Sequence, residues 1–90
     1  MKWTLDYSDK ARKQLKKLDY NPQKIILSWL YKNIDGCDNP RAFGKPLSAN
    51  LKNQWRYKIG NYRVLCDIQD NNITVLALNI GHRSRIYKEK

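Results

Sequence analysis

The sequence predicts a single α+β domain over residues 1–90, with the element order β-α-α-β-β-β. Two stretches near the N-terminus repeat apolar residues at helical spacing. One stretch before them and three after them read as strands, and turn residues separate all of these segments. Ninety residues also leave little room for a second hydrophobic core. We therefore expect a mainly antiparallel sheet with an N-terminal helical hairpin packed on one face.

The first strand and the first helix are predicted from residues 2–18. In KWTLDYS, the side chains of Trp3, Leu5 and Tyr7 alternate with polar ones, as in a half-buried strand. Ser8 then provides a favourable N-cap for the helix DKARKQLKKL, whose apolar residues share one face. The opposite face of this helix is basic and consists of Lys10, Arg12, Lys13, Lys16 and Lys17.

A second helix is predicted to begin at Asn21, as its N-cap, with Pro22 at the first helical position. Its apolar face repeats every fourth residue and consists of Ile26, Leu30 and Ile34. Gly36 is expected to end the helix in a left-handed conformation. Residues 37–53 contain two prolines and a glycine and are predicted to form a loop.

Three strands follow this loop. QWRYKI places three apolar side chains on one face, with Arg56 and Lys58 on the other. Gly60 and Asn61 turn the chain into YRVLCDI, and Asp70–Asn72 turns it again into ITVLALNI. The last strand is the most apolar, and we expect it to be central in the sheet.

The net charge of +10 predicts an anionic partner, which is nucleic acid, an acidic protein, or both. A membrane surface is a less favoured partner, because the apolar face of the basic helix is narrow. No apolar run is long enough to cross a membrane or to form a signal peptide, so we expect a cytoplasmic protein. Cys37 and Cys66 are expected to be reduced, and Cys66 to serve in packing.

Several kinds of active site lack the residues they need. The only glutamate is Glu89 and the only histidine is His82, which disfavours a two-metal nuclease and a zinc site. Residues 39–66 contain no acidic residue. The same stretch carries six basic side chains, namely Arg41, Lys45, Lys52, Arg56, Lys58 and Arg63. The chemistry that remains is that of arginine, lysine, one histidine and several tyrosines.

Cationic side chains of this kind suit one reaction on RNA that needs no metal ion. The ribose 2′-OH attacks the adjacent phosphate, and the protein orients the chain, neutralises the phosphorane and manages two protons. Arginine matches phosphate geometry, and tyrosine or histidine can stack on a base or transfer a proton. The composition fits a basic RNA-binding module without catalysis equally well.

Two segments of the chain are similar to a known toxin family. GKPLSANLKNQWRYKIGNYRVLCDI, followed by VLALNIGHRSRIYK, resembles the RelE branch of the RelE/ParE toxin superfamily. The family has the β-α-α-β-β-β order derived above. The resemblance implies a toxin of a type II toxin–antitoxin system that cleaves mRNA on the ribosome without a cofactor. It also implies inhibition by a cognate, RelB-like antitoxin. The net charge of +10 predicts that this antitoxin is acidic.

The resemblance also implies roles for individual residues. Arg56 and Lys58 match two basic residues that face the mRNA, and Arg63 matches an arginine that binds the scissile phosphate. Arg83 matches an arginine that acts on the leaving group, and Tyr87 a tyrosine that stacks on a base or assists.

Further residues are candidates with less fixed roles. His82 has no fixed counterpart in the family, although some relatives use a terminal histidine as proton donor. Lys45, Lys52 and Arg85 are candidate RNA-binding residues, and Arg85 stands where many relatives have an acid. The basic face of the first helix is a candidate contact for ribosomal RNA.

Two other functions remain open at this stage. One is a ParE-type poison of DNA gyrase, which has the same fold, and the other is an RNA-binding domain without catalysis. ParE-type relatives generally lack the paired basic residues of QWRYKI and the GHR-x-x-Y tail, and both features are present here. The expected partners are therefore an acidic antitoxin, the ribosome and mRNA, with no membrane and no small-molecule cofactor.

Overall fold

The computed structural model describes residues 2–48 and 53–86. Its helices are α1 (Asp9–Lys17) and α2 (Tyr20–Asn33), with one turn of 3-10 helix at Pro40–Ala42. Its strands are β1 (Thr4–Tyr7), β2 (Lys45–Pro46), β3 (Gln54–Ile59), β4 (Tyr62–Gln69) and β5 (Thr74–His82). The five strands form one sheet in the order β1-β5-β4-β3-β2. Only the β1–β5 pair is parallel, so the predicted α+β class and mainly antiparallel sheet are confirmed.

Three details of the predicted sheet differ from the structure. The predicted loop 37–53 contains a short additional strand, β2, which pairs with β3. The last strand, β5, lies inside the sheet between β1 and β4, but the middle strand is β4. Strand β5 begins at Thr74, one residue later than predicted, because Ile73 has a φ of 50° and belongs to the preceding turn.

The two helix starts illustrate a correct and a wrong prediction. Ser8 caps α1 as expected, and its side chain accepts a hydrogen bond from the backbone N–H of Ala11. The predicted cap at Asn21 is wrong, because α2 begins at Tyr20 and the backbone carbonyl of Asp19 accepts its first hydrogen bond, from Gln23. Proline is tolerated within this first turn, because the first four N–H groups of a helix have no partner inside it.

The hydrophobic core lies between the two helices and one face of the sheet. Its fully buried side chains come from both helices and from the three long strands, for example Leu30, Tyr57, Val64 and Val75. Ile26 and Ile34 are also buried, which confirms the predicted face of α2. The other face of the sheet carries the alternate residues of each strand, and no described helix covers it. We call this second surface the open face.

A β-bulge shapes the end of β5. The pairing register between β4 and β5 shifts at Leu65 and Cys66, which leaves Leu78 as the additional residue of β5. Gln14 of α1 stabilises the bulge from the helix layer. Its Oε1 accepts a hydrogen bond of 2.6 Å from the backbone N–H of Ile80, and its Nε2 donates one of 2.6 Å to Asn79 Oδ1. Helix α1 therefore fixes the strand end that leads into the C-terminal residues.

Candidate nucleic-acid interface

A cleft on the open face brings four predicted site residues together. Lys45 of β2 is directly opposite Arg56 of β3, and Lys58 of β3 is directly opposite Arg63 of β4. These four side chains and Gly44 line a cleft of about 400 Å³. Neighbouring strands are ~4.8 Å apart, and residues two apart on a strand are separated by ~6.8 Å. The four basic residues thus follow a stepped line across three neighbouring strands, with Arg56 and Lys58 on the middle one.

Gly44 allows β2 to lie close enough to β3 to complete this cleft. Its φ of 74° is in the left-handed region. A Cβ atom at this position would overlap the backbone carbonyl oxygen of Arg56 and lie 2.8 Å from Trp55 Nε1. The indole N–H of Trp55 in turn donates a 2.6 Å hydrogen bond to the carbonyl of Phe43. From the sequence, Gly44 was expected in a loop. Its contribution to the cleft was not predictable, because the close approach depends on the pairing of β2.

Arg63 is the most buried of the four cleft residues. It is 8% exposed, and its Nη1 donates hydrogen bonds to the carbonyls of Gly60, at 3.0 Å, and Tyr62, at 2.9 Å. The guanidinium is therefore fixed to the β3–β4 turn, in which Gly60 has a φ of 58°. Five N–H donors are available on a guanidinium. Two bonds to the turn at one nitrogen leave Nε and Nη2 as donors for an anion.

Among the described residues, no carboxylate lines the cleft. Within residues 2–48 and 53–86, the one ion pair joins Arg41 Nη1 to Asp70 Oδ1 at 2.9 Å, away from the cleft. Hydrogen bonding from Arg41 lowers the pKa of Asp70 below its ordinary value, so this pair persists at neutral pH. No carboxylate of the described chain forms such a pair with Lys45, Lys58 or Arg63. A buried guanidinium among lysines without a counter-ion is a favourable place for an anion such as phosphate.

His82 lies on the other side of the sheet from the cleft. It is the last residue of β5 and pairs with Tyr62, next to the core, with the two rings 5.5 Å apart in an edge-to-face arrangement. Its Nδ1 is 2.8 Å from Ser84 Oγ and accepts a 3.2 Å hydrogen bond from the Ser84 backbone N–H. The neutral ring therefore carries its proton on Nε2. The structure does not bring His82 into contact with Arg63.

Arg83 and Arg85 follow His82 in an exposed turn beside the cleft end of the sheet. The backbone N–H of Arg83 donates a 2.8 Å hydrogen bond to the carbonyl of Asn61, in the same turn that holds Arg63. The backbone of Arg83 thus lies close to the cleft, and its side chain is exposed to solvent. Lys52 and Tyr87, which were predicted as site residues, lie outside the described residues.

The basic side chains of α1 form a separate surface. Five of them are exposed, and they extend from the helix layer, on the opposite side of the sheet from the cleft. Helix α2 adds exposed apolar side chains, of which Tyr20, Ile25 and Tyr31 are the most accessible. The molecule therefore presents two cationic surfaces that face in opposite directions.

Two further predictions concern the cysteines and membranes. Cys66 is 1% exposed within the core, and burial raises the pKa of its thiol, which confirms its role in packing. Among the described residues, no helix has the length and apolar character needed to span a membrane.

A family comparison identifies the class of protein to which this fold and cleft belong. Residues 5–87 of the chain match the protein family described as "ParE toxin of type II toxin-antitoxin system, parDE". The chain belongs to this toxin family. It is thus a toxin of the RelE/ParE superfamily, and the predicted resemblance is confirmed.

Individual relatives point to the RelE branch of the superfamily. Toxin RelG of Mycobacterium tuberculosis is 30% identical over 88 residues, which cover 98% of this chain and 99% of RelG. The toxin–antitoxin complex RelBE2 of the same organism contains a chain that superposes with a TM-score of 0.79 at 28% identity, covering 92% of this chain and 100% of that one. An Escherichia coli RelE mutant in the free state has a TM-score of 0.72 at 18% identity, covering 99% and 94%, and supports the fold alone.

Proposed function

We propose that this toxin is a ribosome-dependent endoribonuclease that cleaves mRNA in the ribosomal A site and thereby stops translation. The observation that carries the proposal is the cleft of Lys45, Arg56, Lys58 and Arg63, in which positive charge from three strands converges. None of the described residues that line this cleft is a carboxylate. The similarity to RelG and to RelE toxins supports the same conclusion.

The proposed reaction is an attack of the ribose 2′ oxygen on the adjacent phosphorus. The bond from phosphorus to the 5′ oxygen breaks, which leaves a 2′,3′-cyclic phosphate and a 5′-hydroxyl. One proton leaves the 2′-OH and one reaches the departing 5′ oxygen. Negative charge grows on the phosphoryl oxygens during this step, and preorganised cationic donors stabilise it.

Arg63 and Lys58 are the proposed ligands of the scissile phosphate, because they are directly opposite on adjacent strands and Arg63 is fixed to the turn. Lys45 and Arg56 form the neighbouring pair and are proposed to hold the next phosphate of the chain. Arg83 is proposed to act on the leaving group, since its backbone is bonded to the same turn.

Four other predicted residues have different positions in this proposal. The side chain of His82 lies on the face of the sheet opposite the cleft. It could take part in the reaction only if the RNA reached it around the edge of the sheet. Arg85 is proposed to bind RNA from the exposed turn. The roles of Lys52 and Tyr87 remain predictions from the resemblance.

An acidic antitoxin is proposed as the inhibitory partner. The comparison structures include RelB–RelE complexes, one of them from Pyrococcus horikoshii with a TM-score of 0.65 at 18% identity. In this chain the net charge of +10 and the exposed apolar side chains of α2 suit an acidic amphipathic segment that orders on binding.

The deciding experiment maps mRNA ends after brief incubation of the purified toxin with programmed ribosomes. We expect cuts in the A-site codon, little cleavage of the same RNA without ribosomes, and none when the 2′-OH at the cut site is replaced by hydrogen. Chelation of free metal is expected to leave cleavage intact, provided that ribosome integrity is maintained. Efficient cutting of naked RNA, or cutting of the 2′-deoxy substrate, would refute the mechanism.

The second candidate is a gyrase poison, which the ParE name of the matching family favours. It differs in the process that stops first after brief expression in cells. Immediate loss of protein synthesis supports the nuclease, whereas DNA damage that precedes it supports gyrase poisoning.

A further inference from the structure

Ile86 is buried apart from the main core. It is 1% exposed, yet it follows an exposed turn and does not belong to the cluster between the helices and the sheet. Its Cδ1 lies 3.4 Å from the position that a Cβ atom of residue 81 would occupy. Gly81 is directly opposite Arg63 on β4, and directly paired residues project to the same face. Ile86 therefore packs on the open face, over Gly81 and next to Arg63.

The need for space explains the glycine at position 81. The left-handed glycines of the described chain are Gly36, Gly44 and Gly60, whereas Gly81 has ordinary strand backbone. Any residue could adopt that backbone, but a side chain larger than a methyl group would occupy the place of Ile86. Because residue 81 has no side chain, the space above it is available to Ile86.

Backbone hydrogen bonds close the segment between Gly81 and Ile86. The N–H groups of Arg85 and Ile86 donate to the carbonyl of His82 at 2.9 and 3.0 Å. The N–H of Arg83 donates to the carbonyl of Asn61 at 2.8 Å. Arg83 therefore lies in a short loop that is tied to β5 at one end and to the β3–β4 turn along its length, with Ile86 as its hydrophobic anchor.

We propose that Ile86, packed on Gly81, is a positioning residue for cleavage: it holds the loop 83–86 on the open face and so aims Arg83 at the phosphate bound by Arg63. This inference rests on the proposed nuclease function. Without the anchor, the exposed Arg83 would depend on three backbone hydrogen bonds that water can replace. A displacement of about 1 Å in a catalytic group can reduce a rate ~100-fold.

The test compares Ile86→Ala with Ile68→Ala. Ile68 is a matched control, because it is an isoleucine of β4 that is 0% exposed, lies outside the main core cluster and is remote from the loop. Two quantities are measured for each variant: hydrogen exchange of the Arg83 amide, and the single-turnover cleavage rate on programmed ribosomes at saturating toxin. Ile86→Leu keeps δ methyl groups that can reach Gly81 and serves as the conservative variant.

We expect Ile86→Ala to accelerate exchange at Arg83 and to lower the cleavage rate roughly 10- to 100-fold with little change in ribosome affinity. Ile68→Ala should change neither, even if it lowers the melting temperature as much, and Ile86→Leu should retain most of the rate. Gly81→Val is expected to reproduce the Ile86→Ala effects, because the valine side chain would occupy the space that Ile86 fills.

Several outcomes would overturn the proposal. Unchanged exchange at Arg83 in Ile86→Ala would show that Ile86 is not the anchor. Faster exchange with a cleavage rate within threefold of wild type would remove the positioning role, and an equal loss in Ile68→Ala would assign the effect to general destabilisation. If the wild-type toxin does not cleave at all, the proposed function fails and the positioning role fails with it, whereas the exchange result still decides whether the anchor exists.

Discussion

Arg63 shows at the scale of a single residue how a structural and a functional role share one side chain. Its Nη1 is occupied by two carbonyls of the β3–β4 turn. These bonds fix the guanidinium, and they also mean that removing it loosens the turn. A substitution at this position therefore needs variants that separate charge, hydrogen bonding and geometry.

We expect Arg63→Ala to lower the single-turnover cleavage rate by ~100- to 1,000-fold, which is the usual effect of removing one preorganised transition-state contact. Arg63→Lys keeps the charge without the planar fork and should recover only part of the rate. Arg63→Gln keeps an N–H donor for the turn but not the charge, and should remain close to Arg63→Ala. The measurement uses programmed ribosomes at saturating toxin, with melting temperatures as the control for folding.

Two results would contradict this assignment. A rate for Arg63→Ala within about threefold of wild type would mean that Arg63 does not bind the scissile phosphate. Wild-type cleavage by Arg63→Gln would mean that its hydrogen bonds to the turn, rather than its charge, support the reaction.

The candidate site could be predicted from the sequence only in part. Strand alternation and the resemblance together named Arg56, Lys58 and Arg63, and the structure places these three in one cleft. They could be grouped because cross-strand neighbours follow from a short hairpin. The separation of His82 from the cleft was not predicted. Near the end of β5, the face of the sheet on which each side chain lies depends on a bulge, which the alternation of the sequence does not reveal.

At the scale of elements, β2 is the least predictable part of the fold. It has two residues, one of them proline, and so offers no alternation to recognise. The long strands and the faces of both helices were predictable, because each has several turns or repeats of its pattern. The start of α2 was not, since Asp19 and Asn21 are both favourable caps and only the tertiary position of the chain selects between them.

The close pairing of β2 with β3 makes Gly44 and Gly60 respond differently to alanine. Both have positive φ, so each substitution should lower the free energy of unfolding by ~1–2 kcal/mol through backbone strain. Around Gly60 no atom lies within 4 Å of the new Cβ, whereas at Gly44 the Cβ overlaps the carbonyl of Arg56. Overpacking of this kind adds ~1–3 kcal/mol, so Gly44→Ala should be the more destabilised variant.

Urea unfolding of both variants measures this difference. Equal losses of stability would show that β2 does not approach β3 as closely as described. Because Gly44 precedes Lys45, we also expect Gly44→Ala to weaken RNA binding at temperatures where it remains folded, whereas Gly60→Ala should affect the position of Arg63 through the turn.

At the scale of the whole molecule, positive charge is divided between the cleft and the exposed face of α1. The two surfaces extend from opposite sides of the sheet, and the molecule measures 33 × 27 × 22 Å. An oligonucleotide shorter than its smallest dimension can therefore engage one surface at a time. A partner that contacts both surfaces has to surround the toxin, as the RNA walls of a ribosomal site can do.

The salt dependence of binding separates local contacts from the overall charge. For a short single strand, the logarithm of the binding constant falls with the logarithm of the salt concentration, with a slope of about −0.7 for each phosphate that is neutralised. Four cleft contacts therefore predict a slope of about −3. Lys58→Ala should reduce the size of this slope by ~0.7. Lys13→Ala removes the same charge from the exposed face of α1 and should leave the slope unchanged.

The measurement titrates a 2′-O-methyl oligonucleotide, which cannot be cleaved through its 2′ position, at several salt concentrations. Because the two variants have equal net charge, a difference between them reports where the strand lies. Equal reductions would mean that the strand responds to the total charge alone, and an unchanged slope in Lys58→Ala would show that the cleft does not hold the RNA backbone.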